Sequence, residues 1–351
     1  HKFDTLNSIQ IRPSISFQHN ERGGETTTSI TKGKLVNLSN VNQRTTNVSD
    51  GYTFSTNILL RHKFQKRGRT ISINFVPTLS TNESDGTNIS FNEIYKTSGL
   101  IKDTINQISS TSRDSKSFNT TVSYTEPISK KAQLELNYNN SYSLNTSDQK
   151  TLRYNKLTGQ FDSVITNLTN SFENTNTSNR FSANYRQQVN KEWSYTLGMG
   201  VQYAELTSNN KTKLTNLSNK FTNYFPTVQV QFSKARTNNL RFNYRGRTNA
   251  PSISQLQEVI DNSNQLNIKN GNAGLAQEFQ HNFSLFYTKF DVITFKNFVV
   301  GANGSFTQNK IANSVYLNTD TVAKIVDGII LIPGAQYTKP ININGGVNLS
   351  T

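Results

Sequence analysis

The sequence predicts an all-β fold: a membrane-spanning antiparallel up-and-down β-barrel, with about 12 strands visible in this chain. Three observations carry that prediction. Apolar residues recur at every second position, the alternating segments are long, and the connections between them alternate short and long. Successive strand side chains point to opposite faces, so a period of two gives each segment one apolar and one polar face. Several segments run to about 9–13 residues, against five or six in an ordinary globular strand and ~9–11 in a tilted membrane strand. Tight turns at one rim and long loops at the other belong to a membrane barrel.

Twelve segments alternate, near 8–19, 51–61, 69–80, 116–125, 132–144, 179–187, 193–204, 224–233, 239–247, 278–288, 297–310 and 339–351. In the seventh, Trp193, Tyr195, Leu197, Met199, Val201 and Tyr203 interleave with Ser194, Thr196, Gly198, Gly200 and Gln202. In the ninth, Leu240, Phe242 and Tyr244 interleave with Arg241, Asn243 and Arg245. Short connections fall near 62–68, 126–131, 188–192, 234–238 and 289–296. Long ones fall near 20–50, 81–115, 145–178, 205–223, 248–277 and 311–338.

Composition removes several function classes. Of 351 residues only 17% are charged and 33% apolar, with Asn, Ser and Thr making up about a third. Collagen is excluded because the 19 glycines show no triplet period. The low charge and the 35 Phe plus Tyr argue against disorder. Zero Cys removes a disulfide framework, a cysteine nucleophile and thiolate metal sites. No stretch approaches the ~18 apolar residues of a membrane helix. The best run, Ile325 to Pro333, is short and contains Asp327.

Other all-β folds fit less well. A sandwich would not sort its connections by length, and a propeller would repeat a motif every ~40–50 residues. A soluble barrel would place its apolar face inside, and alternation alone does not say which face is in. Segment length, six long loops and low charge favour apolar-out. Trp193, Tyr185 and Tyr124 near short turns, with Tyr142, Tyr203 and Tyr224 near long loops, suit aromatic girdles at both interfaces.

No catalytic or metal motif is present. His1, His19, His62 and His281 are the only histidines, and none has ligand spacing. His19 and His62 read as strand-end residues and His281 as an outward one. No nucleophile elbow, phosphate loop or dinucleotide fingerprint occurs; the chain does not read as an enzyme, and no cofactor is implied. The net charge of +15 is spread thinly, with many cations in turns, such as Lys66, Arg67, Lys130 and Lys131. Without a dense basic stripe, nucleic acid is not the expected partner, and lipid headgroup phosphates are the simpler one. Arg61, Arg186, Arg241 and Arg245 fall on the polar phase of their segments, so they face the lumen. There they line a path, contact carboxylates of a plug, or keep a wet interior solvated.

The connection after the ninth segment is the most specific feature. It reads Arg247-Thr248-Asn249-Ala250-Pro251-Ser252-Ile253-Ser254-Gln255-Leu256, passes through Asp261-Asn262-Ser263-Asn264-Gln265-Leu266-Asn267, and closes with Gly271-Asn272-Ala273-Gly274-Leu275-Ala276-Gln277-Glu278-Phe279. Over about 30 residues this resembles TonB-dependent-receptor-like outer-membrane barrels of Bacteroidota, relatives of the SusC type. Gln265, Ala273 and Gln277 stand where that pattern has proline, so the loop is less preset. The resemblance implies a barrel of about 22 strands closed by an N-terminal plug, with TonB-type energy coupling through that plug. It implies outer-membrane lipid and lipopolysaccharide around the barrel, and leaves room for a surface lipoprotein partner. Residues 1–351 then read as a partial barrel domain without its plug, a closed twelve-stranded barrel being the alternative. The implied function is import of a bulky nutrient: an oligosaccharide, a peptide or a metal chelate. A structural or adhesive surface barrel is the competing reading. Candidate substrate or lid residues are Arg247, Pro251, Ser252, Gln255, Leu256, Asp261, Asn262, Asn264, Asn267 and Asn272. The loop's Ile253, Leu256, Val259, Ile260, Leu266 and Ile268 are too many for a solvated tether. They require a surface to bury against, the lumen mouth or a neighbouring loop.

Overall fold

The alternating segments become one continuous antiparallel sheet. The computed structural model describes every residue except 1–3, 33–35, 97–98, 213, 235–236, 257, 259, 261–265, 321, 346 and 351. The first strands are β1 (Asn7–Lys32), β2 (Val36–Lys63), β3 (Thr70–Lys96), β4 (Gly99–Pro127) and β5 (Ala132–Asn155), with a short β6 (Gln160–Val164) folded back on β5. They are followed by β7 (Asn170–Gln188), β8 (Trp193–Asn210), β9 (Thr215–Lys234) and β10 (Asn238–Asn249). After one helical turn, α1 (Ile253–Leu256), come β11 (Asn267–Lys269), β12 (Glu278–Phe290), β13 (Asn297–Gln308) and β14 (Lys310–Leu317). The chain ends in a small hairpin, β15 (Lys324–Val326) and β16 (Ile329–Leu331), then β17 (Gln336–Ile343) and β18 (Val347–Ser350).

The large sheet runs β1-β2-β3-β4-β5-β7-β8-β9-β10-β12-β13-β18, so eleven of the twelve expected strands lie along this path and the twelfth contributes only its last part, β18. Among the described residues β1 pairs only with β2 and β18 only with β13, which leaves both edges of the sheet open. The remaining strands form a three-stranded sheet, β11-β17-β14, and the β15–β16 pair.

Three expectations need correction. The connections at 20–50, 81–115, 145–178 and 205–223 are mostly strand, not loop: β1 to β4 run 26 to 29 residues each. About ten residues suffice to cross the bilayer, so the rest stands beyond it with water available to the outer face. There the outer face needs no apolar residues, the period of two disappears, and the ladder persists without its sequence signature. His19 accordingly lies mid-strand, bonded to Asp50 at 2.7 Å. The expected strand 339–351 is two, β17 and β18, in different sheets, and the expected strand 297–310 stops at Gln308. Asn309 between β13 and β14 has φ 52°, a left-handed kink that turns the last hairpin out of the large sheet.

Residues directly opposite in a ladder share a face, so register reads the two faces directly. One rung passes through Ile9, Leu60, Ile73, Val122, Tyr138, Phe181, Val201 and Tyr224. Another joins Tyr195, Val230, Phe242, Leu285 and Ala302. This face is apolar and open to its surroundings, with Ile15 59%, Met199 56% and Tyr224 63% exposed. Intervening rungs are polar, as in Ser8, Arg61, Ser72, Ser123, Asn137 and Ser182. A solvent-exposed apolar belt across every strand opposite a polar face is the arrangement of a barrel with lipid outside and a wet lumen.

The tight connections keep their expected places. Between β2 and β3 the Phe64 N–H donates to the Arg69 carbonyl at 3.1 Å, and Gly68 supplies φ +88°. The Glu126 carboxylate clamps this turn to the end of β4, taking Lys66 Nζ at 2.6 Å, Arg69 Nε at 2.7 Å and the Tyr124 hydroxyl at 2.6 Å.

Candidate functional site

Beyond the membrane zone the lumen-phase side chains of the extended strands are buried yet polar. Ser39, Ser90, Asn92, Thr151, Asn174 and Ser208 are each at most 5% exposed. These buried groups of the apical wall are hydroxyls and amides, and a set of guanidiniums sits lower. Arg61, Arg186, Arg241, Arg245 and Arg247 occupy the polar face, opposite the apolar belt, and all are exposed there. His281 faces the other way, on the apolar phase, where its ring accepts or donates at 2.9 Å to the Tyr244 hydroxyl.

The connection from β10 to β12 folds inward and docks. Gln255 reaches back to the start of α1: its side-chain oxygen accepts from the Ser252 N–H at 2.8 Å and from its hydroxyl at 3.0 Å, while its own N–H donates to the Ser252 carbonyl at 3.0 Å. That turn points Leu256 into a cluster with Leu275 and Leu206, 1%, 2% and 6% exposed. Leu217, Phe221 and Ile311 pack around them. Leu206, Leu217 and Phe221 lie on the lumen phase of the β8–β9 hairpin, so the loop lines the inner wall. Polar bonds fix its exit: Asn219 Nδ2 donates to the Ala273 carbonyl at 3.3 Å, and Asn223 Nδ2 to Gln277 Oε1 at 2.6 Å. Asn272, half-buried, accepts at Oδ1 from the Gly274 N–H at 3.0 Å and donates to the Pro340 carbonyl at 3.0 Å.

Its second half joins the other long connection. Asn267, Ile268 and Lys269 pair in parallel with Gln336, Tyr337 and Thr338. Ile268, Ile329, Leu331, Ala335 and Tyr337 form a second buried cluster, with Ile260, Val326 and Ile332 around it. The apolar run 325–333 therefore supplies Ile329 and Leu331 to the core of this cap, while Ile325 and Ile330 stay exposed. Burial, and a bond to Asp327, push the Tyr337 phenol above its ordinary value, while the same carboxylate raises Lys339. The cap also reaches the far side of the sheet. Gly334, at φ +79°, sits so close that a Cβ there would meet Ile30 Cγ2 at 3.0 Å and Ser39 Oγ at 3.3 Å.

Of the sequence-derived candidates, Pro251, Ser252, Gln255, Leu256, Asn267 and Asn272 thus belong to one docked element. Arg247 stands at its root, pairing across to Gln280. Asp261, Asn262 and Asn264 lie outside the described residues, as do Val259 and the side chain of Ile253. Among the described residues no three His, Asp or Glu side chains converge as a metal site.

Sequence reasoning missed a second cluster. Phe225, 2% exposed, is on the lumen phase of β9. The Arg180 guanidinium lies 3.9 Å from its ring centroid, and Phe279 backs it at 5.9 Å. Arg180 crosses β8 to reach it because Gly200 has no side chain; a Cβ there would lie 3.4 Å from Arg180 Nε. An aromatic and two glycines on the polar phase of neighbouring segments were the available signal.

Taken together, the fold and its covered mouth define a membrane-spanning β-barrel whose long connections fold over the lumen. The chain belongs to the outer membrane protein beta-barrel family, whose profile matches residues 62–350. It is an outer-membrane protein. A search of the curated proteins found no match. Among solved structures it is similar to the Serratia marcescens hemophore receptor HasR in complex with its hemophore HasA and heme (10% identity, TM-score 0.47, 98% of this chain and 57% of that one). It is also similar to the copper transporter OprC (9%, TM-score 0.47, 99% and 58%) and to the ferric citrate transporter FecA (10%, TM-score 0.41, 98% and 55%). The chain spans little more than half the length of each.

Proposed function

We propose that this chain is the barrel part of an outer-membrane, energy-coupled importer of a bulky nutrient: an oligosaccharide, a peptide or a metal chelate. The observation that carries this reading is the inward docking of the 250–277 connection on the lumen wall of β8 and β9, together with the cap that joins it to β1 and β2. A connection that buries its apolar residues inside the mouth is placed to contact solutes and to gate them. The open edges support a larger barrel, because unpaired strand edges are not tolerated in lipid. Further strands outside this chain would close it to about 22, with a plug domain and TonB-type coupling as the resemblance implies. In that reading lipid and lipopolysaccharide surround the apolar belt, and a surface lipoprotein would meet the apical hairpins. Nothing in the reading calls for catalysis.

The test replaces 250–275 by a Gly/Ser linker in the full-length protein, expressed in a host deleted for the native gene. Growth is scored on glycans, peptides and metal chelates as limiting nutrients. The native protein should restore growth on one class and the loop-replaced protein should not, although it remains heat-resistant in detergent. Equal restoration by both would remove the loop from transport.

The long strand pairs from β1 to β5 favour a second reading, an adhesive surface barrel that displays polar hairpins far above the bilayer. Loss of cell attachment on trimming those hairpins, with no nutrient phenotype, would select it.

A further inference from the structure

The geometry points to an anion-binding site on the lumen wall, made by Arg180 and Arg245 over the Phe225 shelf, that takes a carboxylate group carried by the transported solute. Naming the solute rests on the importer reading; the site itself does not.

Four features build it. The Arg180 guanidinium lies over the Phe225 ring, its Cζ 3.9 Å from the centroid, a cation–π contact that anchors the group without using its N–H donors for ring-plane hydrogen bonds. The saddle beneath is fixed by Gly198 and Gly200, whose missing side chains let Asn184 and Arg180 lean across β8. Arg245 stands one rung away: it pairs with Thr227, two residues along β9 from Phe225, on the same face. Among the described residues neither guanidinium has a hydrogen-bond or ion-pair partner.

The nearby acids are already committed or distant. Glu278 accepts from the Ile311 N–H at 2.7 Å and from Asn249 at 3.2 Å. Glu135 shares the Arg245 rung, but four strands away, or about 19 Å at ~4.8 Å per strand. A half-buried Arg180 beside a second, exposed cation and without a counter-charge is unfavourable until an anion joins them. Two planar forks suit an acceptor with paired oxygens, which is a carboxylate rather than a neutral sugar hydroxyl. Buried neighbours above Arg180 on the same phase of β7 and β8, Asn174 and Ser208, are neutral. The site also lies at the root of the docked loop, since Phe225 contacts Phe279 and Asn223 holds Gln277. A bound anion is therefore felt where the loop leaves the wall.

The test titrates citrate into the purified full-length protein in detergent, at constant ionic strength, by calorimetry. Saturable binding is expected, weakened about 10-fold or more by Arg180→Gln and by Arg245→Gln, the scale of one lost charge-assisted bond. Arg61→Gln, a lumen cation on a distant strand, should bind as the native protein does. Retained heat-modifiable mobility on gels shows that each variant is folded. If Arg180→Gln does not fold, Arg180→Lys keeps the charge without the fork and should also weaken binding. No citrate binding by the native protein, or an equal loss in Arg61→Gln, overturns the site. Citrate binding with the expected variant pattern, but no uptake of any carboxylated solute by cells, leaves the site standing and rejects its assignment to cargo.

Discussion

Val230→Arg and Gln229→Arg place the same charge on neighbouring residues of one strand, and they should differ sharply. Val230 is opposite Tyr195 and Phe242 on the apolar face, whereas Gln229 is opposite Thr196 and Asn243 on the polar face. β9 ends at Lys234 beside a tight turn. Four residues at ~3.3 Å, on a strand tilted ~40°, put Val230 about 10 Å inside that rim, near the middle of a belt ~25 Å tall. An arginine facing lipid there costs about 2–4 kcal/mol, equivalent to roughly 30- to 700-fold in the folding equilibrium. Gln229→Arg adds a cation to a wet wall and should stay within about 0.5 kcal/mol. Urea titration of the full-length protein folded into lipid vesicles measures both. Near-equal costs, or a costlier Gln229→Arg, would refute lipid on the apolar side and turn the sheet inside out.

Orientation can be read with epitope tags: one inserted at Leu157, 96% exposed beyond the belt, should be labelled on intact cells, and one at Ser129 only after permeabilisation. Leu256→Ala removes a fully buried side chain and should loosen loop docking by about 2–5 kcal/mol. Limited proteolysis should then cut within 250–277 faster while the barrel keeps its heat resistance. The Glu126 clamp gives a pH signature, because hydrogen bonds from Arg69, then Lys66 and Tyr124, hold its carboxyl far below the usual carboxylate range. A depressed folded pKa contributes stability that is full above the unfolded value, near 4.5, and lost as pH falls through the folded one. The advantage of the native protein over Glu126→Gln should therefore shrink on acidification below about pH 4.5 and hold constant from pH 6 to 8. An advantage independent of pH down to 3 would mean that the clamp acts through packing alone. Gly246→Ala should destabilise the root of the loop by about 1–3 kcal/mol, because the added Cβ would lie 2.6 Å from Phe279 Cζ. Thermal melts of the folded barrel check it.

The sequence by itself determined the part of the protein that lipid dictates. Within the belt every second side chain must be apolar, so the segments around Leu136, Val201, Val230 and Phe242 announce their strands, their length and their two faces. The tight turns were legible for the same reason, since chain direction must reverse within a few residues at the rim. The resemblance at 247–279 marked a connection that docks, and its surplus of Leu and Ile required a surface without saying which. Tertiary structure decided the rest. Above the bilayer the outer faces of the strands meet water, alternation loses its purpose, and the extensions of β1 to β9 read as loops although their backbones stay paired. The partners of Leu256 come from β8, β9 and β14, those of Ile268 from the cap, and Gly334 meets β1 and β2. Such contacts join residues tens to hundreds of positions apart, which no local period encodes. Arg180 shows this most plainly: its contact with Phe225 depends on a glycine of the strand between them, and only the ladder register brings the three together.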